Sequence, residues 1–205
     1  MIKKNLDHSE WVTASKPTGG IAGNKNLRKK IAWAITGSGH FLEESLSICS
    51  KFESVDIYLS SAAEEVLPIY GYSLQSMRKK NKVFRDKTTS SVPVGMLYDN
   101  HYHTVVIAPA TSNTVAKCAF GISDSLPTNM FAQAGKLGIL TIIFACDTEP
   151  VVITKAPKEW VELKPRQIEL NNVKKLEKFP FCKVVKSPSK LEAALRNRLK
   201  NPGIF

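Results

Sequence analysis

Apolar residues along this chain fall into two alternating rhythms. Short unbroken apolar runs occur at "IAWAIT" from Ile31, in "SVDIYLS" ending at Ser60 and Ser61, in "HTVVIAP" ending at Pro109, and in "ILTIIFAC" ending at Cys146. Runs of this length, bounded by small polar residues, predict strands buried on both faces. Between them the period lengthens. "FLEESLSICSKF" puts Phe41, Leu42, Leu46, Cys49 and Phe52 at helical spacing, and "AAEEVLPIYG" predicts a helix interrupted or shifted at Pro68. Residues 112–120 and 124–136 read as two more helices, while "SLQSMRKKNKVFRDK" is amphipathic at first and then becomes a basic connection. Strands alternating with helices predict an α/β fold with a doubly wound, mainly parallel sheet covered on both faces.

The two ends of the chain depart from this rhythm. Residues 1–30 include "KPTGGIAGNKN", which has no apolar period, and are expected to form a basic N-terminal arm. In the last quarter, "WVELKPRQIEL" alternates like an exposed strand, "NNVKKLEKF" reads as a helix, "CKVV" as a strand, and "SPSKLEAALRNRLK" as a helix with a serine cap. Residues 151–205 are therefore expected to be a basic C-terminal extension of one domain covering 31–205.

Charge follows the same division. The net charge of +11 resolves into +5 over residues 1–30, −2 over 31–150 and +8 over 151–205. The basic residues have few interleaved aromatics and match no zinc-finger or RNP pattern, so they read as solvated lysines rather than a nucleic-acid site. Attraction of a small anionic ligand is a further reading of the same charge. Cys49, Cys118, Cys146 and Cys182 are scattered with no CxxC pair, and are read as reduced core residues rather than ligands of zinc or an iron–sulfur cluster. No apolar run has the length of a membrane span, and "MIKKNLDHSEW" has no apolar signal core; a cytoplasmic location without membrane contact is expected.

The candidate chemistry lies where the buried strands end. "TGSGH" places Gly37 and Gly39 in a tight turn before a helix start, a combination suited to phosphate. "LSSAAEEV" offers Ser60 or Ser61 as a helix cap, with Glu64 completing a capping box. "APATSNTVAK" is the densest: one cap is needed, and Thr111, Ser112, Asn113 and Thr114 are four consecutive candidates. Ligands of doubly wound sheets lie outside the carboxyl ends of the strands, so three polar strand ends on one rim would surround a phosphate or planar ring. His40 opens the first helix beside the phosphate turn, and both a ligand contact and a helix-start histidine without a role stay open. Asp147, at the end of a strand, touches substrate or caps the next turn. His101 and His103 have no third metal ligand at a readable spacing.

The segment "PATSNTVAK…GISDSLPTN", with "AWAITGSGHFL" and "SSAAEEVLPIYG", resembles the homo-oligomeric flavin-containing flavoproteins, which include phosphopantothenoylcysteine decarboxylases and flavin prenyltransferases. It is more similar to the archaeal-type flavoproteins and the flavin-dependent dihydromethanopterin reductases. The resemblance covers residues 31–200, with its motifs concentrated in 31–150. It implies a single Rossmann-like (flavodoxin-like) domain and FMN as cofactor. It implies that Thr36, Gly37, Ser38, Gly39 and His40 help to hold FMN and that Ser60 and Ser61 lie by the flavin. Ala110, Thr111, Ser112, Asn113 and Thr114 would take the phosphate or the ring edge. Asp124, Ser125, Thr128 and Asn129 would complete the site, often from a neighbouring subunit of a trimer or multiple of trimers.

Two departures narrow the reading. The decarboxylase branch carries a later PxMNxxMW motif, whereas this chain continues "TEPVVITKAP" after "FACD". Some relatives carry a cysteine-rich cluster segment, and here no cluster and no metal is expected. The resemblance thus implies an FMN-dependent reductase acting on a small-molecule pterin, dihydromethanopterin, by hydride transfer, with the electron donor and catalytic acid unassigned. The alternatives are a flavin-dependent decarboxylase or prenyltransferase of the same fold, or a non-catalytic flavin electron carrier.

Overall fold

The computed structural model describes residues 30–87 and 91–201. The expected arm therefore lies outside the described residues except for Lys30, which opens the first strand. The elements run β1 (Lys30–Ile35), α1 (Leu42–Cys49), β2 (Val55–Leu59), α2 (Ser61–Ile69), α3 (Leu74–Lys80), β3 (Lys82–Arg85) and α4 (Ser91–Val94). They continue with β4 (Tyr102–Ala110), α5 (Ser112–Ala119), α6 (Leu126–Lys136), β5 (Leu140–Ala145), β6 (Val152–Lys155) and β7 (Trp160–Leu163). The chain closes with α7 (Gln167–Leu176), β8 (Cys182–Val185) and α8 (Pro188–Lys200). Six strands form one parallel sheet in the order β3-β2-β1-β4-β5-β8. The order turns back between β1 and β4, which makes the carboxyl ends of those two strands the switch point of a doubly wound sheet.

Side-chain alternation along β1 divides the core in two. Ile31, Trp33 and Ile35 face a layer built with Leu42, Leu67 and Leu191 from α1, α2 and α8. Ala32 and Ala34 face the other layer, with Val115, Leu126, Met130 and Val173 from α5, α6 and α7. Both faces of the sheet are thus sealed, which is why its strands read as unbroken apolar runs. Small alanines on one face let helices pack close, while Trp33 fills the other and donates its indole N–H to the Ala108 carbonyl at 2.8 Å.

Several elements differ from the expectation. The basic connection contains β3, which pairs in parallel with β2 from Asp56↔Lys82 to Leu59↔Arg85. Its apolar signal is short because it is an edge strand: Phe84 stacks on Tyr58 at 4.6 Å while its lysine stays in water. The strand expected in "WVELKPRQIEL" ends at Leu163, and Gln167 begins α7. Pro165 bars helix before it, and the Glu169 carboxylate takes the free Arg166 backbone N–H, so Arg166 caps the helix three residues ahead of Glu169. Pro68 lies within α2, which runs on only to Ile69. β6 and β7 form an antiparallel hairpin apart from the main sheet, with Val152 opposite Leu163 and Lys155 opposite Trp160. β8 joins the main sheet beside β5, so the last quarter shares the sheet of the first three.

Candidate functional site

Hydrogen bonds lace the carboxyl ends of four adjacent strands into one rim. After β1, the Thr36 hydroxyl donates to the Pro109 carbonyl at 2.7 Å and accepts the Thr111 N–H at 3.0 Å. A single buried threonine therefore ties β1 to the end of β4. Ser60 N–H donates to the Ile35 carbonyl at 3.1 Å, which ties β2 to β1. Cys146 N–H donates to the Ala110 carbonyl at 3.0 Å, which adds β5. The Cys146 thiol sits 3.3 Å from the Ser38 hydroxyl and 3.6 Å from the His40 carbonyl, with both acceptors in reach of its one proton. Burial pushes that thiol up to about 12, so it acts as a neutral donor that steadies the first turn.

The turn itself is shaped by absence of side chains. A Cβ on Gly37 would come within 2.5 Å of the Ala62 Cβ, so α2 packs directly on the turn backbone. A Cβ on Gly39 would come within 1.8 Å of the Tyr70 hydroxyl. The next residue but one, Phe41, adopts φ +61°, a left-handed conformation that a bulky residue takes only when its surroundings impose it. Stacking of its ring on Phe144 at 4.5 Å supplies that constraint. His40 is half-buried, and its ring lies against Phe41 at 3.7 Å. Burial holds its pKa below the ordinary 6.5, against the upward pull of Asp147 and Glu44.

The remaining polar groups divide into those already engaged and those left over. Ser60 caps α2, accepting the Ala63 N–H at 3.0 Å. Glu64 does not complete the expected capping box; its carboxylate pairs with Arg85 on β3, which draws it away from the helix start. Ser61 Oγ donates to the Asp86 carbonyl at 3.3 Å. Thr111 caps α5 by accepting the Thr114 N–H at 3.2 Å, and the two hydroxyls lie 3.0 Å apart. Ser112 and Asn113, in the first turn of α5, make no side-chain hydrogen bond among the described residues. One cap satisfies the helix, and two groups remain for a ligand.

The segment from Asp124 to Asn129 stands elsewhere in the chain's own fold. Asp124 pairs with Lys117 at 2.8 Å, Thr128 accepts the Ser125 N–H at 3.0 Å, and among the described residues no hydrogen bond joins them to the rim. Ser123 and Thr128 line a groove of about 340 Å³ with Thr141, near the amino end of β5, the end opposite the rim. The half-buried Asn129 amide has no side-chain hydrogen-bond partner among the described residues. Sequence reading overlooked Cys146 as a brace, Tyr70 as the wall behind Gly39, and β6 with its pairing to the expected strand β7. A cysteine in an apolar run and a tyrosine in an amphipathic helix carry no local sign of such roles.

A search among known proteins places this architecture among relatives. The Flavoprotein family profile matches residues 21–198. The dihydromethanopterin reductase (acceptor) of Methanosarcina mazei is 37% identical over 142 residues, which are 63% of this chain and 59% of that protein. The match thus spans only about three-fifths of that relative's length. Among solved structures, Burkholderia xenovorans DmrB in complex with FMN, described as a cubic protein cage for redox transfer, superposes with TM-score 0.80 and 59% identity, covering 86% of this chain and 98% of DmrB. The phenylacrylic acid decarboxylase of Aquifex aeolicus shares the fold at TM-score 0.58 and 20% identity, over 86% of this chain and 98% of its own.

Proposed function

The chain belongs to the Flavoprotein family, and on that basis we propose that it is an FMN-dependent reductase which reduces a pterin of the dihydromethanopterin type. The observation that carries this reading is the laced rim with two hydrogen-bonding side chains, Ser112 and Asn113, left unspent at the start of α5. The residues fit the cofactor. Gly37 and Gly39 let Ala62 and Tyr70 pack directly on the turn and fix its path, and the first turn of α5 offers free N–H groups and the positive end of a helix dipole to a phosphate. The relatives support FMN and reductase chemistry, and the decarboxylase likeness is more distant.

Bound flavin supplies the hydride chemistry, and the protein supplies binding, orientation and electrostatics. In this reading Ser112 and Asn113 donate to the phosphate or the ring edge, beside Ala110, Thr111 and Thr114. Thr36 and Cys146 keep the strand ends and the first turn, Gly37 to His40, from moving apart. Ser60 and Ser61 line the flank toward β2. The neutral His40 leaves the turn without a fixed positive charge of its own. Asp124, Ser125, Thr128 and Asn129 complete the site from a neighbouring copy, since within one chain they lie toward the other end of the sheet. That arrangement calls for a homo-oligomer, a trimer or a multiple of trimers, in the cytoplasm, and the cage described for DmrB supports assembly.

The test starts with the visible spectrum of the protein titrated with FMN, where a saturable flavin band is expected. Stopped-flow mixing of the reduced flavoprotein with dihydromethanopterin is then expected to return the oxidised flavin band. A bound flavin that is not reoxidised by the pterin points to an electron carrier, and failure to take up flavin overturns the reading altogether.

A further inference from the structure

A second cavity, of about 510 Å³, opens from the same first turn but away from the α5 side. It begins at Gly39 and His40, is walled by Tyr70 and Tyr72 after α2, and is covered by Ile153 and Trp160 of the β6–β7 hairpin. The Tyr70 hydroxyl donates to the Lys155 carbonyl at 3.4 Å, so the wall and the cover are joined. Trp160 and Ile153 are 69% and 64% exposed, large apolar surface turned toward an open cleft rather than into a core. Glu43 and Glu44, in the first turn of α1, line it together with Lys155, and neither carboxylate forms an ion pair among the described residues. The two carboxylates thus stand beside the rings of Phe41, Tyr70, Tyr72 and Trp160.

We propose that this cavity receives the substrate ring of the reductase, and that Glu43 and Glu44 read the 2-amino-4-oxo edge of a pterin. The proposal rests on the pterin reading given above. The edge of such a ring presents an exocyclic amine and a ring N–H side by side, the two-donor pattern that a carboxylate accepts in pairs. Tyr70, Tyr72 and Trp160 supply flat faces for a bicyclic ring at the usual stacking distances. The carboxylates also settle which end enters. An acidic tail would be repelled by Glu43 and Glu44, so the ring enters and the tail points out toward the basic exterior. Gly39 is the joint between the two sites: its bare backbone touches Tyr70 on one side and belongs to the cofactor turn on the other.

The test uses the full chain loaded with FMN and two probes, 6-methyl-7,8-dihydropterin and 6-methyl-7,8-dihydrolumazine, which carries an oxygen in place of the 2-amino group. Binding is read by equilibrium dialysis and by quenching of tryptophan emission. The pterin is expected to bind about tenfold or more tightly than the lumazine, the usual worth of a hydrogen bond to a charged acceptor. The paired substitution Glu43→Gln, Glu44→Gln is expected to erase that preference while the flavin titration stays unchanged. Trp160→Ala is expected to weaken both probes alike and to remove the quenching. Equal binding of the two probes to the parent chain, or a preference that survives the double substitution, overturns the proposal and leaves the flavin reading standing. A chain that takes up no FMN is recognised in the spectrum before any probe is added, and overturns both.

Discussion

Thr36 shows how far one side chain can reach in this fold. Its hydroxyl is buried and used twice, once as donor to Pro109 and once as acceptor from Thr111. Thr36→Val keeps the shape and the Thr36 N–H to Pro109 carbonyl bond of 3.3 Å but leaves the Thr111 N–H unpaired, so a loss of about 1–3 kcal/mol in denaturant unfolding is expected, with weakened flavin uptake as its consequence. His40 gives a pH signature. Its folded pKa lies below the 6.5 of the unfolded chain. Below pH 6.5 the unfolded chain therefore binds a proton that the native chain refuses, and stability falls until His40 itself protonates. His40→Gln is expected to flatten that fall when unfolding midpoints are compared from pH 7 downward. The sequence singled out both residues, but by position beside a turn. The bonds of Thr36 and the burial of His40 depend on β4 and β5, which are distant in the chain.

Helix α5 separates capping from binding. Thr111 does the capping, so Thr111→Ala is expected to cost about 1 kcal/mol of stability. Ser112 and Asn113 have no bond to lose. Ser112→Ala and Asn113→Ala are each expected to change stability by no more than about 0.5 kcal/mol, yet to weaken FMN binding about tenfold by flavin titration. A stability loss without a binding loss would move the ligand contact elsewhere. Four consecutive polar candidates were legible in the sequence, but which of them the helix consumes was not, because a cap depends on backbone direction at one residue. Elements fared likewise. The four buried strands were evident from their apolar runs. β7 was legible from the alternation in "WVEL", but the edge strand β3 and the hairpin partner β6 were not, since a strand with one neighbour or an exposed face needs few apolar residues.

At the scale of the molecule, the rim and the Asp124–Asn129 segment lie toward opposite ends of one sheet, and a complete site is expected only between copies. Phe120 and Ile122, 61% and 49% exposed, stand beside that segment. Sedimentation of the parent chain is expected to show a homo-oligomer, and Ile122→Glu to shift it toward monomer with loss of flavin affinity. A monomeric parent that binds FMN tightly would remove the second subunit from the site.

Local physics was enough to establish the alternation of strands and helices, the turn at Gly37 and Gly39, and the polar strand ends, because apolar period, backbone freedom and capping chemistry act over a few residues. Tertiary structure alone decided the strand order that brings 36, 60, 111 and 146 to one rim, the division of hydroxyls into engaged and spare, and the meeting of α1, α2 and the hairpin around a second cavity. Those outcomes depend on contacts between residues far apart in the chain, whose pairing no single stretch encodes.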